Sequence, residues 1–151
     1  MKEPDNLERQ SSSSLKLFVV LTRALQAIEN EVVKDIKSHG LSLTEFSVME
    51  LLYNKGQQPI QKIGKKILLA SSSTTYVVDK LEGKQLLERK DSPNDRRIKY
   101  AALTMDGEKI MKQIFPKHVD AMNDIMGGLS TDEKEDMIMQ LKKLGYHALG
   151  R

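Results

Sequence analysis

The stretch Leu86-Leu87-Glu88-Arg89-Lys90-Asp91-Ser92-Pro93-Asn94-Asp95-Arg96-Arg97-Ile98-Lys99-Tyr100-Ala101-Ala102-Leu103 decides the fold. Before Gly83, apolar residues recur every three or four positions; after it they fall into two short segments, Leu86 to Asp91 and Ile98 to Leu103. Between them, proline presets one backbone angle and the Ser, Asn and Asp side chains bond to their own backbone, so Ser92-Pro93-Asn94-Asp95 predicts a turn. The two segments are expected to pair as a two-stranded hairpin with Arg96 and Arg97 at or beside its tip.

Two short helices are predicted immediately upstream. Pro59 marks a helix start, and Ile60, Ile63 and Ile67 form its apolar face, with Lys62, Lys65 and Lys66 on the exposed side. The next helix opens near Ser71 with a first turn of hydroxyls, Ser71, Ser72, Ser73, Thr74 and Thr75, before Tyr76, Val77, Val78 and Leu81 supply an apolar stripe. A short helix, a turn and a second helix match the helix-turn-helix, whose second helix enters the major groove of DNA by its N-terminus. The basic hairpin beyond it is then a wing. Short hydroxyls at a helix start reach phosphates or base edges, and the helix N-terminus itself favours an anion. Arg96 and Arg97 on a loop suit a narrow minor groove, where the potential is most negative. Lys80, Lys84, Arg89, Lys90 and Lys99 would line the approach to the backbone.

Farther out the periodicity is helical again. Phe18, Leu21, Leu25, Ile28, Val32 and Ile36 define a long helix from Leu15 to Ser38, closed by Gly40 and preceded by a flexible polar tail over 1–14. At about 1.5 Å per residue it spans roughly 35 Å, longer than a compact core needs, which points to packing on a partner subunit. Ser42-Leu43-Thr44-Glu45 is a capping box that opens a second helix ending near Gly56. Thr104 caps a helix carrying Ile110, Ile114 and Met122, and a second capping box, Ser130 to Glu133, opens the last, with Met137, Leu141 and Leu144. The fold class expected is mostly α with a small β-hairpin wing, α+β overall.

The formal charge of the 151-residue chain is +3, but it is unevenly spread. From Lys55 to Lys99 there are eleven Lys or Arg and five Asp or Glu, while the remainder is net acidic. A cationic middle third flanked by acidic scaffold is the footprint of a polyanion-binding module. The absence of cysteine excludes disulfides, thiolate nucleophiles and thiol redox sensing. No apolar run approaches a membrane span and no secretory leader is visible at the start, so a cytoplasmic protein without membrane association is expected.

Asp95-Arg96-Arg97 followed by Tyr100-Ala101-Ala102-Leu103-Thr104 resembles the wing signature of the MarR family of transcriptional regulators. Leu41 to Phe46 and Val77 to Glu82 also resemble family segments, so the similarity runs from Leu15 to Gly145. The resemblance implies a homodimer in which residues 15–40 and 104–148 interlock with their counterparts and 41–103 form the winged DNA-binding lobe. It implies recognition-helix contacts from Ser71, Ser72, Ser73, Thr74, Thr75, Tyr76 and Lys80, wing contacts from Arg96 and Arg97, and an Asp95 that braces Arg97. The implied partner is a pseudo-palindromic operator in double-stranded DNA, and the implied role is repression.

Ser38 to Leu41, Ile67 to Ser71 and Lys142 to Tyr146 are also similar to the quinone- and hydroquinone-responsive branch of that family, called MhqR. That similarity implies release of DNA by a small aromatic, phenolic or quinone-like effector, without a thiol. Candidate pocket residues are Phe18, His39, Phe46, Met49 and Tyr53, placed where the first two helices are expected to meet. Core packing is the stronger reading of Phe18, Phe46 and Met49 at helical spacing, and a helix-end histidine favoured by the dipole is the simplest reading of His39. No metal or cofactor constellation is visible, since His39, His118 and His147 stand far apart and no phosphate loop or dinucleotide fingerprint occurs. An enzyme is therefore not expected. The alternative is a winged-helix protein-interaction module without DNA specificity.

Overall fold

The computed structural model describes residues 4–67 and 73–151, arranged as six helices and a small antiparallel sheet. Helix α1 (Pro4–Ser38) starts well before Leu15, so residues 4–14 of the segment expected to be a flexible tail are helical, and residues 1–3 lie outside the described residues. Asp5 lies in the first turn, where the helix dipole favours an acid. The helix runs through the serine run, and at its end the Ser14 hydroxyl donates to the Gln10 carbonyl one turn back at 3.1 Å. At about 1.5 Å per residue, α1 spans roughly 50 Å.

Helix α2 (Leu43–Lys55) opens with the expected capping box: Ser42 Oγ accepts from Glu45 N, and Glu45 Oε1 from Ser42 N, both at 3.1 Å. It runs through the middle of the lobe, burying Phe46, Val48, Met49 and Leu52. Around it pack Val32 and Ile36 of α1, Ile63 of α3 (Ile60–Lys66), Val77, Val78 and Leu81 of α4 (Thr74–Gly83), and Met111 and Ile114 of α5 (Met105–Ile125).

The sheet has three strands rather than the two expected. Strand β1 (Gln58–Pro59), only two residues between helices, lies on the outer side of β3 (Lys99–Leu103), pairing Gln58 with Ala101 and Pro59 with Tyr100. Strand β2 (Leu87–Asp91) pairs with the other side of β3 from Leu87↔Leu103 to Asp91↔Lys99. A two-residue strand has no alternation to reveal it, and Pro59 is tolerated because the strand is at an edge. The wing therefore folds back onto the base of the helix-turn-helix.

Thr104 joins sheet to α5: its hydroxyl accepts from Gly107 N at 3.1 Å and donates to Gln85 O at 2.7 Å. Gly107 permits this seat, since a Cβ there would stand 2.2 Å from the Leu86 carbonyl oxygen. Helix α6 (Thr131–Leu149) opens with the Ser130–Glu133 capping box yet has no buried residue. No helix among the described residues is long and apolar enough to cross a membrane.

Candidate nucleic-acid interface

Helix α4 is pinned to the core by Val77, Val78 and Leu81, which leaves Thr75 and Tyr76 exposed at its start. Ser73 is its N-cap but makes no side-chain capping bond, so that hydroxyl is not committed to the helix end. Thr74 is half-buried against α3, where the absent side chain of Gly64 makes room for it. Ser71 and Ser72 lie outside the described residues.

The cations around α4 fall into two groups. Arg89 of β2 hydrogen-bonds both Asp79 and Glu82, which ties the wing to α4 and raises the arginine pKa. Lys84 Nζ donates to Glu45 Oε2 at 2.7 Å, and Lys80 Nζ stands 3.7 Å from Glu45 Oε1. Lys99 pairs with Asp91, and Lys90 lies 3.4 Å from Glu88. Each of these side chains, expected along the approach to DNA, has an acidic neighbour in the lobe and stays partly open to solvent. Burial alone would raise the Glu45 carboxyl, but bonds from Lys84 and Ser42 and the Lys84 charge bring it below the ordinary glutamate range.

The wing tip differs. Asp95 holds Arg97 in a bidentate pair, Nε to Oδ1 at 3.0 Å and Nη2 to Oδ2 at 3.1 Å, yet the Arg97 side chain remains 90% exposed. The Arg97 side chain, and then its backbone N–H, lower the Asp95 pKa. Buried Ser92 anchors the turn by accepting from the backbone N–H groups of Asn94 and Asp95 at 3.3 Å. Arg96 is exposed and makes no ion pair among the described residues.

The five residues expected to line a ligand pocket are not gathered around one cavity. A cavity of about 440 Å³ opens between α1, α2 and α5, lined among others by Leu25, Val32, Phe46, Glu50 and His118. Of the five candidates, only Phe46 lines it. Phe18 is exposed on α1 and roughly 21 Å along the helix from Val32; equal facing did not mean equal height. Met49 is fully buried in the core, and Tyr53 packs on Phe115 at 5.6 Å between ring centroids. His39 Nε2 lies 3.3 Å from Asp35 Oδ1 but off the hydrogen-bond direction, leaving that nitrogen without a partner.

Long-range packing brings in residues that the sequence did not single out for this site. His118 Nδ1 lies 2.8 Å from Asp35 Oδ2, and its ring meets Phe46 at 4.6 Å. Burial pushes the Glu50 carboxyl above the ordinary glutamate range, with His118 acting in the opposite sense. Spacing along one chain carries no signal for a contact between residues 35 and 118.

The MarR family profile matches residues 41–99, the span from the start of the lobe to the far side of the wing. The chain is 51% identical over 138 residues to the HTH-type transcriptional regulator MhqR of Bacillus subtilis (strain 168), covering 91% of this chain and 95% of that protein. Its backbone is similar to Sco3205, a MarR family transcriptional regulator from Streptomyces coelicolor solved in complex with DNA (TM-score 0.77, 18% identity, 93% of this chain and 89% of that one). It is also similar to Bordetella bronchiseptica BpsR, from work on regulation of DNA binding by 6-hydroxynicotinic acid (TM-score 0.72, 23% identity, 86% and 98%). The chain thus belongs to the MarR family and is a DNA-binding transcriptional regulator.

Proposed function

We propose that the protein is a homodimeric repressor that reads an inverted repeat and is released by a small aromatic or quinone-like effector. The observation that carries the DNA reading is at the wing tip: Lys84, Arg89 and Lys99 each bond an acidic side chain of a neighbouring element, while Arg96 stands exposed without an ion pair among the described residues and Arg97, tethered by Asp95, keeps its side chain 90% exposed. With Ser73, Thr74, Thr75 and Tyr76 at the start of α4, they offer hydrogen-bond donors to a major groove and guanidinium groups to the adjoining minor groove.

Dimerisation is supported by surface that no intrachain packing explains. Leu15, Leu17, Phe18, Val19, Val20 and Leu21 are all exposed, so α1 is apolar around its circumference there. Of these, Leu17, Val20 and Leu21 flank an apolar groove of about 720 Å³ with Met137, Leu141 and Leu144 of α6. A helix that buries nothing is marginal in water, and a second copy supplies the missing cover. Two lobes related by a two-fold axis require two half-sites about one helical turn of DNA apart.

Effector release is supported by the cavity beside Phe46 and His118, and by the regulation of DNA binding in BpsR by 6-hydroxynicotinic acid. A ligand that prefers a conformer whose lobes misfit the operator lowers DNA affinity by that preference. Selection of binding sites from random duplexes with the purified protein tests the reading. An enriched inverted repeat bound by a dimer, and weakened by a quinone or phenol titration, is the expected result; no enrichment, or a monomer, refutes it.

A further inference from the structure

We propose that Glu45 is a positioning residue for DNA recognition: from α2 it sets the seat of α4 without touching the nucleic acid. The inference rests on reading α4 as the helix that enters the groove. The apolar contacts of Val77, Val78 and Leu81 hold α4 against the core, but dispersion is nearly non-directional and leaves small slides along the helix axis weakly opposed.

Glu45 supplies the missing direction. It is 3% exposed, and its Oε1 is fixed by the Ser42 N–H at the start of its own helix. Its other oxygen receives Lys84 at 2.7 Å, and Lys80, one turn earlier on α4, stands 3.7 Å from Oε1. A charge-assisted bond in a shielded position is short and angularly demanding, and breaking it leaves a buried carboxylate unpaired. The opposite anchor is Arg89, which grips Asp79 and Glu82 of the same helix. Because α4 moves as a rigid body, a slide at Lys84 displaces Ser73, Thr74 and Thr75 equally, and hydrogen bonds to base edges tolerate only a few tenths of an ångström. Lys80, expected among the DNA contacts, stands beside this seat with its side chain 44% exposed.

The test uses full-length Glu45→Gln, Lys84→Met and the double variant. Each is titrated by fluorescence anisotropy against the selected operator and a scrambled duplex over a range of salt, with thermal melts alongside. The Gln side chain keeps an oxygen for the Ser42 N–H, so the cap survives. In both single variants, operator affinity is expected to fall about tenfold, the value of roughly one base pair of readout. Scrambled-duplex affinity and the salt slope stay unchanged, and the double variant is no worse than either single one. Lys84 is 43% exposed, so its variant carries the test should Glu45→Gln not fold.

An unchanged ratio of operator to scrambled affinity overturns the role of Glu45 even where the melting temperature drops, as do additive effects in the double variant. A reduced salt slope in Lys84→Met overturns it by placing that lysine on a phosphate. If the wild-type protein itself shows no operator preference, the reading of α4 fails first, and the Glu45 proposal falls with it.

Discussion

Asp95 Oδ1 accepts two hydrogen bonds from Arg97, one from its backbone N–H and one from Nε, each at 3.0 Å. One carboxylate oxygen thus closes the wing turn and aims the guanidinium that stands out from it. Replacing Asp95 by Ala should lower operator affinity about tenfold, comparable to one mismatched base pair. Scrambled-duplex affinity should hold or rise, since an acidic group leaves the interface. Anisotropy titrations showing equal losses on both duplexes would contradict the bracing role. Because the Asp95 pKa is lowered, the brace persists above the ordinary aspartate range and is lost as pH falls through the lowered value.

Arg96 and Arg97 differ in tethering, but both are exposed at the wing. If each neutralises one phosphate, Arg96→Ala and Arg97→Ala each reduce the slope of log affinity against log salt by about 0.9. Slopes equal to that of the wild type in both variants would move the DNA contact away from the wing.

Leu141 of α6 faces the apolar groove shared with Val20 of α1. Leu141→Glu keeps a good helix former but puts a charge where the second copy should pack. Light scattering should then report a monomer, and circular dichroism a loss of helix as α6 frays. A stable dimer with full helicity would refute this use of the groove.

Gly107 leaves no room for a side chain beside the Leu86 carbonyl. Gly107→Ala must shift either the start of α5 or the base of the wing, at about 2 kcal/mol and a fall of about 4–8 °C in Tm. A thermal melt within 1 °C of the wild type, about the precision implied for small surface changes, would show that the junction is softer than it looks.

Glu50 provides the pH test. Its folded pKa is raised above the unfolded value, so the folded state holds the proton more tightly. Stability is therefore full below the ordinary glutamate range and declines as pH rises through the raised value. Glu50→Gln removes that decline and should raise Tm at pH 7 by about 2 °C while leaving it unchanged at pH 4. A variant that melts lower at pH 7 would mean the ionised carboxylate is held by a favourable partner.

Periodicity and capping chemistry made the helices and the wing legible before any coordinates. Ser42 with Glu45, Ser130 with Glu133, and the turn from Ser92 to Asp95 act over a few residues, so local sequence states them directly. The same local logic placed Arg96 and Arg97 at the tip. It failed at the serine run of α1, which reads as a polar lead-in and is helical throughout.

The sequence by itself determined which apolar segments are helices, where the capping boxes open α2 and α6, and that the cationic charge lies in the middle third. Tertiary structure alone decided which acid each cation meets, because Glu45 meets Lys84 and Arg89 meets Asp79 across gaps in the chain that periodicity does not encode. It also decided that β1 joins the sheet and that Asp35 meets His118 beside Phe46. Local interactions select conformation, whereas the pairing of distant side chains depends on how whole elements pack.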